Sequence, residues 1–516
     1  MHFVLRLSPE IHRTLSETAS GIYNSSQLSW RHVQAFSTLL HETIHWWQHI
    51  GSTAGFLQSL SYPIQTHMNY PYLQDFIKQH GAYKSILRFG TTRKPDGFIP
   101  AAGRDITNII VNNFMDVEFY RVLITRPDLT EQVCENPYFE SMGHTYRITY
   151  DNVLGVLDSM FDREFGFLPN PSDWHEGFKE LEKKKTQGYY YRSPIYTTTF
   201  GLRELFEGQA RFCQLQYLYF ASNGRFSWED AKSAGMLSEV YIAAFHEFLK
   251  FTESDWPNSI EDPLVGLFLI VCDIALNPGA GFPLPIIHLS CFVDDSNPAM
   301  RFITICRLIV LKMPHLKKAV QSYSKQEYIQ ISEEICEMAI IPSPMSIADK
   351  IDNWSKTQTS IIHLMEEDAK FQFIPGNQAV RILFARYTNY CRDKRLFPEI
   401  FCWPGAWFAG ERVSSDVENL FMNHQAMFTD KADDDSIFPV NLPGKSSEAL
   451  HQTFNDFYLN AMMFDVVKQW IINEGEFKYD FKWLSDKYSP SEYQEKIGGQ
   501  FEQMFGVNPS AFIILS

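Results

Sequence analysis

Between Trp30 and Gly51 the sequence sets apolar side chains around most of a helix and gathers its polar ones into one sector. Val33, Phe36, Leu40, Ile44 and Trp47 recur at helical spacing, and Ala35, Leu39 and Trp46 extend the apolar cover beyond that stripe. Ser29 is placed to cap the start and Gly51 to stop the end. A helix apolar on so many sides has to sit inside a body large enough to enclose it. Gln34, Thr38, His41, Glu42, His45, Gln48 and His49 share the remaining sector, and polar groups withdrawn from water there are costly unless they find partners.

The chain can supply such a body. It has 516 residues, 45% hydrophobic and 15% aromatic, enough for a large core without disulfide or metal staples. Its net charge of −16 argues against a general nucleic-acid binder, whose affinity comes largely from neutralising phosphates. The basic run Lys183–Lys185 reads as a solvated face. Eight cysteines are scattered with no C-x-x-C pair, the pattern of reduced core thiols in a cytosolic protein. The opening residues MHFVLRLSPEIHR predict no secretory leader. The most apolar run, Val265–Ile274, contains Gly266 and Asp273 and is about half the ~20 residues a spanning helix needs, so it predicts a buried helix and no membrane association.

Helical periodicity predicts helices over 29–50, 103–125, 198–221, 227–252, 263–276, 296–323, 325–339, 377–393 and 448–473. Strand patterns are few: His2–Leu7 as an edge strand, with Phe371–Ile374 and Phe438–Leu442 as short candidates. Loops are expected at Arg93–Gly103, Pro169–Asp173, Asn277–Pro285, Pro342–Met345 and Asp430–Ser447, the last being the most linker-like. The fold class is therefore mainly α with little strand. A boundary near 290–300, after GAGFPLP, divides a motif-bearing region, 1–295, from a helical region, 296–516; one intertwined α-helical body is the equal alternative. The latter carries two strong apolar faces, Phe302, Ile305, Leu308, Ile309 and Leu311, and Val380, Leu383, Phe384 and Tyr387. These are expected to pack on the first region and wall its cleft.

The chemistry sits in His41-Glu42-Thr43-Ile44-His45, an H-E-x-x-H. Four residues turn a helix by about 400°, so both imidazoles leave nearly the same face one turn apart and can reach one Zn²⁺. Glu42 lies beside the metal but points sideways, placed to act as base on a water delivered there. His32 faces away and reads as structural. His49 shares the sector and is a candidate for an outer or substrate contact.

This segment resembles the active-site helix of the zincin metallopeptidases, and most of all the gluzincin branch, whose third ligand is a Glu on a later helix. HETIHWWQHIGSTAG is also similar to uncharacterised bacterial HExxH proteins. The resemblance implies a zincin-like helical core and a third ligand, best matched by Glu207 in Glu207-Gly208-Gln209-Ala210, an E-x-x-A. Glu207 lies off the apolar side formed by Leu202, Leu205, Phe206 and Phe212, and small Gly208 and Ala210 would let its helix approach the H-E-x-x-H helix. Its spacing departs from compact thermolysin-like enzymes, because Glu207 follows His45 by 162 positions. Otherwise Glu207 is a helix-surface acid paired with Arg203 or Arg211. Asp116 and Glu118, on an apolar helix, are alternative ligands or hold a ligand's free N–H; the plainer alternative is pairing with Arg121 or another Arg.

Tyr189, Tyr190, Tyr191 and Tyr196 are candidate donors to a developing oxyanion. His246 and His288 are remote candidates, and Asp273 is a buried acid that could stand behind a ligand. No nucleotide-binding or serine-hydrolase motif is present, so Zn²⁺ is the one cofactor expected. The expected function is a zinc-dependent hydrolase, a selective cytosolic metallopeptidase acting on a protein or peptide, with His41, His45 and Glu207 as ligands and Glu42 as general base. Two alternatives stay open: a helical regulatory or interaction protein with a structural or degenerate metal site, and a protease effector of toxin or defence type that acts only when triggered.

Overall fold

The computed structural model describes residues 3–17, 29–92 and 105–515, and helix accounts for 68% of these described residues. That is about twice the share of an ordinary globular protein, and the fold is mainly α. The expected Arg93–Gly103 loop and His2 lie outside the described residues.

Most of the periodic segments are helices: Trp30–Gly51, Ile106–Thr125, Leu202–Ala221, Pro263–Leu276, Lys325–Ala339, Gln378–Leu396 and Ser447–Ile472. Two are divided. The 227–252 stretch becomes Trp228–Ser233 and Glu239–Phe251, parted by a turn at Gly235 with φ +70. The 296–323 stretch ends as α-helix at Lys312, because Pro314 cannot continue it. Gly51 is the last helical residue and not the stop. A Cβ there would lie 2.4 Å from the Tyr390 ring, so the missing side chain admits the C-terminal region. The next residue, Ser52, is extended and caps the following helix, Thr53–His80, by accepting the Gly55 N–H at 3.0 Å.

Strands are short. β1 (Val4–Leu5) is the edge of a three-stranded sheet and pairs parallel with β3 (Phe428–Lys431), which pairs antiparallel with β4 (Asp434–Pro439). The segment 430–447, expected to be linker, therefore holds most of a hairpin. β2 (Tyr83–Lys84) pairs parallel with β5 (Ile513–Ile514). Phe371–Ile374 forms no strand; Phe371 ends the Thr359–Lys370 helix in the left-handed region at φ 56.

Buried apolar side chains from both sides of residue 296 belong to one continuous core. Phe56 stacks on Tyr387 at 4.5 Å and on Phe384 at 5.7 Å. Phe302 packs edge-on to Phe200 and Phe268. Leu311, read as part of that face, is exposed instead. The Pro263–Leu276 helix is buried, and among the described residues no helix is long and apolar enough to cross a membrane. The cysteines are free, six buried and two, Cys134 and Cys291, exposed.

Candidate metal centre

The Trp30–Gly51 helix lies against the Leu202–Ala221 helix, and the apolar stripe read from sequence is the face it buries. Val33, Phe36, Leu40, Ile44 and Trp47 are each at most 3% exposed. The polar sector looks toward Glu207. His41 Nε2 and His45 Nε2 are 3.1 Å apart, and Glu207 Oε2 lies 3.7 Å from the first and 3.4 Å from the second. Among the described residues these three form the group able to hold a metal ion. Ligand atoms about 2.0–2.1 Å from one tetrahedral Zn²⁺ would be about 3.3–3.4 Å apart, so three edges of 3.1, 3.4 and 3.7 Å fit such an ion. His41 is buried, whereas the His45 and Glu207 side chains keep 23% and 27% of their exposure, so the cluster opens to solvent on their side.

Gln48 orients this arrangement. Its amide nitrogen donates to the Phe206 carbonyl at 2.8 Å and to Gln209 Oε1 at 3.0 Å, both on the Glu207 helix. That fixes its oxygen toward His45 Nδ1, 2.8 Å away. Nδ1 therefore carries the proton, and a neutral His45 turns a bare Nε2 toward the cluster, the form a metal requires. His41 has no such partner: its Nδ1 is buried without a hydrogen bond.

The charge balance follows from packing. Burial, helped by His45 and Arg211, pushes His41 down to about 4, although Glu207 pulls upward. Burial would raise Glu207, but the two imidazoles outweigh it and hold the carboxyl well below its ordinary range. Burial would lower His45, yet Glu207, Gln48 and Glu42 leave it raised. Glu42 is raised by burial and by Glu207, against the pull of His45 and Arg211. The negative field that favours a proton on His45 would also favour a divalent cation.

Two neighbours carried no sequence signal of their own as site residues. The Tyr241 ring stands edge-on to His41 at 5.9 Å, and the Arg211 guanidinium lies 3.9 Å over the same ring. Arg211 sits one turn after Glu207 and is, with Arg203, the ion partner of the alternative reading in which Glu207 is a surface acid. Its nearer contacts are Tyr241 and Gln214. Gly208 faces Ala244 and Phe268, with a Cβ there 3.3 and 3.4 Å from them, so its smallness admits the Glu239–Phe251 and Pro263–Leu276 helices instead of the H-E-x-x-H helix.

The other candidates are drawn elsewhere. Asp116 accepts from Thr145 Oγ1 at 3.0 Å and lies 3.3 Å from His144 Nε2. Glu118 is paired with Arg121 and accepts from Gln65. Neither joins the cluster, because their helix pairs with the Met142–Phe161 helix, which periodicity did not reveal, and with Thr53–His80. Asp273 is spent on Lys394, Tyr328 and Asn277. Tyr189 donates to the Leu289 carbonyl at 2.9 Å, and Tyr191 and Tyr196 are exposed. Tyr190 stands under Lys185. His246 rests on Trp256 and His288 precedes a short 3₁₀ turn. His32 bonds Ser29 and faces Glu17, as a structural residue should. His49 is packed edge-on to Phe206 at 5.2 Å, and burial pushes it down to about 3.

Compared with protein family models, with curated proteins and with solved structures, the chain matches none at a significant level.

Proposed function

We propose that this chain is a zinc-dependent hydrolase cleaving an amide bond in a peptide or protein. The observation that carries the reading is the triangle of His41 Nε2, His45 Nε2 and Glu207 Oε2, closed by two helices distant in sequence and dimensioned for one tetrahedral ion. Zn²⁺ held there would polarise the scissile carbonyl and make an attacking water more acidic. His45 is presented in the ligating tautomer by Gln48, and Glu207 supplies the anionic ligand. Glu42 stands beside the ligands with its carboxyl raised by burial, which suits a base that takes a proton from the water and returns it to the leaving amine. Arg211 and Tyr241 border the cluster and offer donors to a carbonyl oxygen that gains charge. The free cysteines suit a reducing, cytosolic setting.

The test joins metal content to turnover. Purified protein should carry close to one Zn²⁺ per chain and lose it in His41→Ala. Glu42→Gln should keep the metal and lose about 10²–10⁴-fold in peptide hydrolysis. Zinc that binds with no Glu42-dependent hydrolysis in the parent protein would refute the hydrolase and leave a structural metal.

A further inference from the structure

A charged cavity of about 260 Å³ lies away from the candidate metal centre, where the Thr359–Lys370 and Gln378–Leu396 helices meet the end of the Ser415–Asn423 helix and the loop around Lys445. In a chain of net charge −16 its lining gathers three fixed cations, Arg386, Arg392 and Lys445, against two acids, Asp368 and Asp393, with His424 beside them. The two acids are engaged. Asp368 accepts from Asn389 at 2.8 Å and lies 3.1 Å from Arg386, and Asp393 bonds His424 at 2.9 Å. The cations are not used up. Arg386 is buried, lies over Phe371 at 5.2 Å and leaves its Nε without a partner. Arg392 has only a loose approach to Asp393 at 3.6 Å. Lys445 gives two protons to the carbonyls of Asp368 and Ala369, at 2.9 and 2.7 Å, and retains a third. Burial lowers the Lys445 ammonium, and the Arg386 charge lowers it further against the pull of Asp368.

We propose that this cavity binds a small phosphate-type oxyanion, held between the guanidinium groups of Arg386 and Arg392 and the ammonium of Lys445. Like charges converging from two elements on one half-enclosed cavity are stabilised by an anion between them. Donors arriving from separate directions suit a tetrahedral oxyanion better than a planar carboxylate, which one guanidinium fork already satisfies. The volume falls below the ~300–1,000 Å³ of pockets for drug-sized ligands, which limits the ligand to a few heavy atoms. His424 ties the cavity to the H-E-x-x-H helix, because its carbonyl accepts the Trp47 indole N–H at 2.8 Å.

Calorimetric titration of the full chain tests this, after stripping with a chelator so that no metal can take the anion. The probes are inorganic phosphate, pyrophosphate and O-phosphoserine. Saturable binding at one site is expected. Tighter binding of phosphoserine assigns the site to a phosphomonoester, and tighter binding of phosphate or pyrophosphate to the free ion. Arg392→Gln, at an exposed side chain whose loss should not disturb folding, and Lys445→Gln should each weaken binding about tenfold or more. The proposal is overturned if none of the three probes gives saturable heat, or if both variants bind as the parent does.

Discussion

Gln48 and His45 are joined by a 2.8 Å hydrogen bond whose direction the rest of the Gln48 amide dictates. One turn of helix thus contains both a metal-capable imidazole and the group that sets its proton on the far nitrogen. Gln48→Leu removes that group while keeping the bulk. Zinc affinity should fall by about 10–100-fold, read by competition with a chromophoric chelator. Unchanged affinity would show that His45 is oriented by packing alone.

Glu207 and Asp116 separate cleanly in the structure, and zinc titration should separate them in solution. Glu207→Ala removes an atom 3.4–3.7 Å from both imidazole nitrogens and should weaken zinc by more than the ~10–100-fold expected for an outer partner. Asp116→Ala should leave zinc affinity unchanged. The reverse order would move the ligand to the Ile106–Thr125 helix.

Asp116 should matter for stability and for its pH dependence. It is buried against His144, whose imidazole is lowered by burial but raised further by Asp116 and Glu140, leaving it above its ordinary 6.5. A raised folded value stabilises fully below pH 6.5, and the gain is lost as pH rises through that folded value. Asp116→Asn should therefore cost most at mildly acid pH, where His144 is charged and its partner carboxylate ionised, about 3 kcal/mol for a broken buried pair. The gap to wild type should narrow as His144 becomes neutral. Urea unfolding at a series of pH values measures it, and a gap that widens with pH would refute the assignment.

The H-E-x-x-H helix was legible because its periodicity and its polar sector are local. Glu207 was legible only through the resemblance, since no local pattern reports a contact across 162 positions. The Thr53–His80 helix escaped because it is buried on many sides and so shows no single stripe, and because Pro63 and Pro71 inside it read as breakers. The roles of Tyr241 and Gln48 are relations between helices: Tyr241 touches His41 from another element, and Gln48 orients His45 only because Phe206 and Gln209 hold its amide. Asp116 misled for a related reason. A buried acid announces that it needs a partner but not which, and the partner, His144, lies on a helix the periodicity did not show.

The C-terminal half meets the H-E-x-x-H helix from behind. Trp47 is covered by Tyr390, Phe401, Phe408 and Phe421, and Phe36 by Phe421, whereas the neighbours of the ligand sector, Phe206, Arg211 and Tyr241, come from the first half. Aromatic contacts from residues beyond 296 thus cover the apolar side of the helix. They are reinforced by Lys394, itself buried, on Asp273. Lys394→Met should leave that buried carboxylate without its cation and destabilise the protein by about 3–5 kcal/mol, measured by denaturant unfolding. Limited proteolysis of the full chain near 290–300 should give two fragments that co-elute, because separating them would expose Trp47, Phe36 and Phe56 together. An N-terminal fragment that leaves alone, stays soluble and binds zinc would show that the H-E-x-x-H helix does not depend on this seat.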